Sequence, residues 1–284
     1  MSAVLFDVPG PRARARQRIG TALGTLAFGA LMAWVLWTLW KEEQITPDQW
    51  EAFTKPTIIR ALAEGLVYTL LSAAAAIALA IVFGVVFASG RLSDHAVLRW
   101  PSIVVVEFFR AVPLLLLILF LFIGFGSVLG RFWALVLGLV LYNGSVLAEI
   151  FRAGILSVPR GQREAGYAIG LRKSEVMRLI LAPQAVGAML PAIISQCVVA
   201  LKDTALGFVI GAAGIIQVGE LIYISPLYRN ELAVAIVLAV VFIVINYALS
   251  KLAQWLEARQ RRAGRAVVAE PEIGEPAEVK ADPT

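Results

Sequence analysis

Residues 62–89 read "LAEGLVYTLLSAAAAIALAIVFGVVFAS". The stretch is rich in alanine, and its small residues let helices approach closely. As a helix it exceeds the roughly 20 apolar residues that span a hydrocarbon core. Comparable runs cover about Ile19 to Trp40, Pro101 to Phe125, Phe132 to Phe151, Ala185 to Val218 and Glu231 to Leu256. Over all 284 residues the chain is 60% hydrophobic and 16% charged, with a mean hydropathy of +0.81. A soluble chain carries about 45–50% apolar and about 25% charged residues. The expected fold class is therefore all-α, a polytopic helical membrane protein with about six transmembrane helices.

The first run begins after a basic tail and is too long for a signal peptide, with no small-residue cleavage site. It ends in Trp34, Trp37 and Trp40, residues suited to a membrane interface. "GFGSVLGR", 124–131, is expected to turn the chain back between two spans. "LKDT", 201–204, interrupts the fifth run, which suggests one helix followed by a broken or re-entrant half. The expected domains are a basic cytoplasmic tail at 1–18, an extra span with an external loop at 19–61, a transmembrane domain at 62–257 and a disordered tail at 258–284. That tail is rich in Pro, Glu and Ala.

The 25 Lys and Arg outnumber the 20 Asp and Glu. In a membrane protein this excess is a topology signal rather than a sign of nucleic-acid binding. Arg12, Arg14, Arg16 and Arg18 precede the first span, and Arg91 and Arg99 flank the 90–99 loop. Arg152, Arg160, Arg163, Arg172, Lys173 and Arg178 surround 159–183, and Arg259, Arg261, Arg262 and Arg265 end the last span. Six spans place these groups on one side, expected to be cytoplasmic, with both termini there. One cysteine, Cys197, and one histidine, His95, exclude an internal disulfide and argue against a metal cluster. Cys197 is expected to be packing, and His95 a solvated loop residue.

One loop departs from its apolar surroundings. "GQREAGYAIGLRKSEVMRLILAPQ", 161–184, is patterned as two short amphipathic helices. Ala165, Ala168 and Ile169 share a face of the first. Gly170 suits the C′ position, where φ is positive. Val176, Met177, Ile180 and Leu181 form a stripe on the second, and Pro183 is expected to turn the chain back into the membrane. Read from these residues alone, the loop is either an interfacial element lying on lipid headgroups or a docking element for another protein.

Glu164-Ala165-Gly166, Gly170, Ile180 and Pro183 resemble the EAA loop of permease subunits of ATP-binding-cassette importers. "EIFRAGILSVPRGQREA", "PQAVGAMLP", "EFFRAVPLLL" and "LKDTALGFVIG" extend the resemblance to permeases for polar amino acids, and it covers roughly residues 62–257. The N-terminal "VLFDVPGPRARAR" is similar to actinobacterial glutamate permeases, which carry an extra first span. Gly166, Ala182 and Ala205 depart from the family pattern, and Gly166 is expected to shorten the first short helix. The resemblance implies a bacterial cell-membrane permease for polar amino acids, with glutamate as substrate. Gly161, Glu164, Ala165, Gly170, Ile180 and Pro183 would then couple to a cytoplasmic ATPase dimer. A second permease subunit, identical or different, and an extracytoplasmic binding protein are the other implied partners, within a lipid bilayer.

A phosphate-cradling loop needs G-x4-G-K-[ST], and Gly-Lys occurs nowhere in the chain. The chain is expected to bind no cofactor and to be no enzyme, with ATP hydrolysed by the partner. Ionisable residues at membrane depth mark a pathway by default. Arg110, Lys202, Asp203 and Thr204 are the candidates for a translocation path, whereas Glu149 and Arg152 are expected to be a helix-end pair. A stand-alone secondary transporter is the alternative, which inverted repeats and paired broken helices would favour. An intramembrane enzyme lacks both a Gly-x-Ser-x-Gly elbow and an H-E-x-x-H motif.

Overall fold

The computed structural model describes residues 10–44, 46–228 and 231–265. Nine α-helices carry the chain among these residues: α1 (Pro11–Lys41), α2 (Pro56–Arg91), α3 (Ala96–Ala111), α4 (Leu114–Ser157), α5 (Arg160–Ala168), α6 (Lys173–Glu175), α7 (Ala182–Asp203), α8 (Ile215–Tyr223) and α9 (Glu231–Arg265). Five helical segments among the described residues are long and apolar enough to cross a membrane. One of them, α4, is folded in two. A straight helix of its 44 residues would run about 66 Å, twice the hydrocarbon thickness. Gly130 breaks it with φ 65° and ψ 175°. A Cβ on Gly138 would lie 3.3 Å from the Ile118 Cα, two positions that a straight helix would hold about 30 Å apart. The halves are therefore antiparallel, and the expected turn at 124–131 centres on Gly130.

The expected third span at 101–125 is not one helix. It divides into α3 and the start of α4 at Val112–Pro113, both extended, with ψ 129° and 130°. Proline has no N–H to donate and drives the preceding residue out of the helical region, so the helix ends there. α9 continues to Arg265, past the expected boundary at 258, and residues 266–284 of the tail lie outside the described residues.

The chain packs as two units. In the unit formed by 1–61 and 219–237, α1 presents exposed apolar side chains along its length, among them Ile19, Leu26, Leu36 and Trp40. A helix that is apolar all round and uncovered is what lipid covers. Lys55 pairs with Glu51 at 2.6 Å beside the buried Ala52.

The unit formed by 62–218 and 238–284 holds a core of Ala76 from α2, Leu114, Ile118, Leu135 and Leu139 from both halves of α4, and Ile210. Small residues set its helix spacings. A Cβ on Gly84 would meet the Leu147 Cβ at 2.9 Å and the Ala148 nitrogen at 3.2 Å. On Gly154 it would overlap Met189 of α7. Close backbone approach is how helices associate where lipid tails are as apolar as leucine.

Candidate functional site

The charged loop folds as a bent helical pair. α5 ends in a left-handed Gly170 with φ 85°. The Gly170 N–H donates to the Tyr167 carbonyl at 3.0 Å and the Leu171 N–H to the Gly166 carbonyl at 3.1 Å. These are the two bonds of a Schellman stop, in which a glycine satisfies the last helical carbonyls. The Glu175 carboxylate accepts the Arg172 N–H at 2.7 Å and starts the second helix.

α5 does not stop at Gly166 but runs two residues beyond it. Gly166 is buried, and a Cβ there would stand 2.8 Å from Ile180 Cδ1 and 2.9 Å from Val176 Cγ2. The departure from alanine is a packing choice that lets the two short helices touch. Nor does Pro183 turn the chain. Val176–Leu181 forms a π-helical turn that runs straight into α7, with Pro183 in the first turn of α7. The wider turn accommodates a residue that cannot donate an interior hydrogen bond.

The stripe expected on the second helix is mostly spent within the chain, with Val176 fully buried and Leu181 nearly so. The exposed apolar face belongs to the first helix. Ala165 and Ala168 are exposed, as is Ile169 at 76%. Gly161, Glu164 and Pro183 are exposed, while Ile180 is half-buried against Gly166.

One ion pair ties this element to the α2–α3 loop. Lys173 Nζ lies 2.5 Å from Asp94 Oδ2 and 3.4 Å from the Leu92 carbonyl. The Lys173 hydrogen bond and charge hold the Asp94 carboxyl below the usual carboxylate range, with smaller help from His95 and Arg99. A depressed carboxyl keeps its pairing above the ordinary value and loses it only as pH falls through the lowered one. The tie is therefore intact at neutral pH.

A chain of five charges lies nearby. Arg110 reaches Glu107 at 3.6 Å, Glu107 reaches Arg91 at 3.0 Å, and Arg91 reaches Glu149 at 3.3 Å. Glu149 pairs with Arg152 at 2.5 Å and 3.0 Å. The expected helix-end pair of Glu149 and Arg152 is thus joined with Glu107 and Arg110 into one network by Arg91, whose side chain is only 10% exposed. From the sequence alone Arg91 reads as a topology residue. The one available signal was two acidic residues at i, i+3 from arginines on separate helices, with a third arginine at a span end.

The stretch 202–204 takes no part in that network. α7 ends at Asp203 and continues as a 3-10 turn, Thr204–Ile210, stopped by Gly211 at φ 65°. The expected interruption of the fifth run is thus where the helix changes type. Lys202 does not pair with Asp203, because consecutive helical residues point apart. Lys202 is exposed, whereas Asp203 is half-buried and lies close to Asn143. The buried Asn143 accepts from Gln196 Nε2 at 2.6 Å and donates to the Leu139 carbonyl at 3.1 Å. Neither Asn143 nor Gln196 stood out in the sequence, where Asn143-Gly144-Ser145 reads only as an inaccessible glycosylation sequon. Thr204 is buried and donates to the Leu201 carbonyl at 2.6 Å. It lines a cavity of about 10 Å³ with Tyr68, Thr69, Ser72 and Gln217. That is room for one water molecule, next to the Gln217 Oε1 that finds no partner.

These features define a class: a helical membrane protein with a stiff, bent, charged element outside its spans and polar groups at the break of one span. Residues 80–262 match the family model described as the binding-protein-dependent transport system inner membrane component. The chain belongs to that family and is a multi-pass membrane protein, a transport component. It is 44% identical over 230 residues to the glutamate transport system permease protein GluD of Corynebacterium glutamicum, covering 78% of this chain and 83% of that one. It is 31% identical to the glutamate/aspartate import permease protein GltK of Escherichia coli, covering 70% and 92%. Among solved structures, an amino acid ABC transporter with histidines superposes with a TM-score of 0.66 at 28% identity, covering 71% of this chain and 94% of that one. The inward-facing MetNI methionine ABC transporter, at 20% identity and a TM-score of 0.57, shares the fold.

Proposed function

We propose that this chain is the permease subunit of an ATP-driven, binding-protein-dependent importer of polar amino acids, with glutamate as its substrate. The substrate assignment rests on the 44% identity to a glutamate permease. The observation that carries the mechanism is the Gly170-stopped helix whose Ala165, Ala168 and Ile169 face has no cover among the described residues. An exposed apolar face on a rigid, bent element suits insertion into a groove of a separate ATPase. Closure of an ATPase dimer would then push α5, and the π-helical turn would carry the displacement into α7. ATP hydrolysis belongs to that partner, and a second permease subunit completes the path.

The path candidates separate by their surroundings. Arg110 is engaged with Glu107, whereas Lys202 is exposed and offers a cation to the substrate carboxylates. Asp203 is half-buried beside Asn143 and offers a carboxylate to the substrate ammonium. Thr204 holds the helix break in place through Leu201.

Glutamate uptake into proteoliposomes holding the assembled complex is expected to need ATP on the ATPase side and binding protein on the other. Uptake driven by an ion gradient without ATP would support the stand-alone transporter instead. The cytoplasmic placement of both termini and of 159–183 follows from the arginine distribution. Asp48→Cys, in a Cys197→Ser background, is expected to react with an impermeant maleimide on intact cells, and Ala263→Cys only after lysis. Labelling of Ala263→Cys from outside would overturn the orientation.

A further inference from the structure

We propose that the space enclosed by the α2–α3 loop, the end of α4 and the bent helical pair is a binding site for one anionic phospholipid. The headgroup phosphate sits among arginines and an acyl chain runs along an adjoining apolar groove. The leaflet assignment rests on the cytoplasmic orientation proposed above.

The space is a cavity of about 870 Å³, lined by Arg91, Arg99, Arg152, Arg160, Arg163 and Lys173 against only Asp94 and Glu164. Three of the cations are already engaged, Arg91 and Arg152 with glutamates and Lys173 with Asp94. Among the described residues Arg99, Arg160 and Arg163 have no ion-pair partner, so the wall keeps an excess of positive charge. A second observation points to a ligand. The side chain of Arg91 is nine-tenths buried, and its Nε–H finds no acceptor. A buried donor left unpaired is rare and calls for a partner.

Apart from Ser93 and Tyr167 the remaining wall is apolar, with Ile155, Leu156, Met177 and Leu181 among its residues. Across Leu92, Ile155, Lys173 and Met177, which line both spaces, the cavity adjoins a groove of about 740 Å³. Val85, Ala88, Phe151, Val186, Met189 and Ile193 line that groove along α2, α4 and α7. A soluble phosphate would use the basic cavity and leave the groove bare. A phospholipid matches both, charge against charge and chain against apolar wall. Basic pockets between helices at the cytoplasmic surface suit such headgroups. An occupant here would touch the Lys173–Asp94 tie, and so the link between the bent pair and the α2–α3 loop.

The test uses the full chain, purified in detergent, stripped of lipid and titrated under native mass spectrometry. The probes are phosphatidylglycerol, phosphatidylcholine with the same acyl chains, and glycerol 3-phosphate. Phosphatidylglycerol is expected to bind more tightly than phosphatidylcholine, with glycerol 3-phosphate failing to compete. The double variant Arg99→Gln/Arg160→Gln is expected to lose about fivefold in phosphatidylglycerol affinity per arginine and to erase the preference. Val186→Trp, at an exposed position in the groove, is expected to weaken both lipids. Equal binding of the two lipids would overturn the proposal, as would an unchanged preference in the double variant. Effective competition by glycerol 3-phosphate would assign the cavity to a soluble anion and also overturn it. This assay does not depend on membrane orientation, so a wrong orientation would show in the cysteine labelling with lipid binding intact.

Discussion

Gly170→Val is expected to cut coupling about tenfold or more while leaving membrane insertion intact. Gly170 sits at φ 85°, a region a β-branched residue adopts only at a cost of about 1–3 kcal/mol. A Cβ there would meet nothing within 4 Å, so the penalty is one of backbone conformation and not of crowding. The chain relieves it by giving up the two bonds that close α5, to the Tyr167 and Gly166 carbonyls. The angle between α5 and the π-helical turn is then lost, and Ile169 no longer presents its face in register with Ala165. A penalty of about 1.4 kcal/mol is a tenfold drop in the correctly bent form. Substrate-stimulated ATPase activity of the assembled complex is expected to fall by about that factor or more. Gly170→Asn is the control, since asparagine tolerates the left-handed region, and it should retain most of the stimulation. If the valine variant is stimulated like wild type, the bent element does not transmit the ATPase stroke.

Lys202→Met is expected to stop glutamate uptake with yield, assembly and basal ATPase activity preserved. An unpaired carboxylate in the path costs several kcal/mol, which corresponds to about a hundredfold or more in rate. Arg110→Met separates this role from a structural one. Its ion pair is partly exposed, with side chains 37% and 52% accessible, and such pairs contribute about 0–1 kcal/mol. Glu107 moreover keeps Arg91 as a partner. That variant is therefore expected to assemble and transport. Arg91→Met removes a cation that is itself only 10% exposed and takes a partner from the largely buried Glu149, so the recovered complex should decline along with uptake. Normal glutamate uptake by Lys202→Met would remove it from the path and move specificity to the external binding protein.

Much of this molecule is legible in its residues because the signals are local. Membrane-length apolar runs set the helices, since a backbone in lipid must satisfy its own hydrogen bonds. Gly170 announced a left-handed stop, and "LKDT" announced a break, from two or three residues each. The proline signals were present, but Pro113 carried no expectation and Pro183 has a different consequence from the one expected. Pro113 ends a helix inside a run expected to be one span, and Pro183 sits within a continuous helix that widens to admit it. Hydropathy does not respond to either event, because neither changes the composition of the window.

What only the tertiary structure decided is which residues meet. Arg91, Glu107 and Glu149 stand on three different helices, and their network exists because α2, α3 and α4 bring those ends together. The second stripe of the bent pair looked available for a partner, yet Gly166 admits Val176 and Ile180 so closely that the first helix carries the free face. Asp203 lies near Asn143 of another helix and does not pair with its sequence neighbour Lys202, since adjacent residues on a helix diverge. What a segment is follows from its own backbone and its solvent. Pairing depends on the relative placement of helices far apart in the chain, which no single segment encodes.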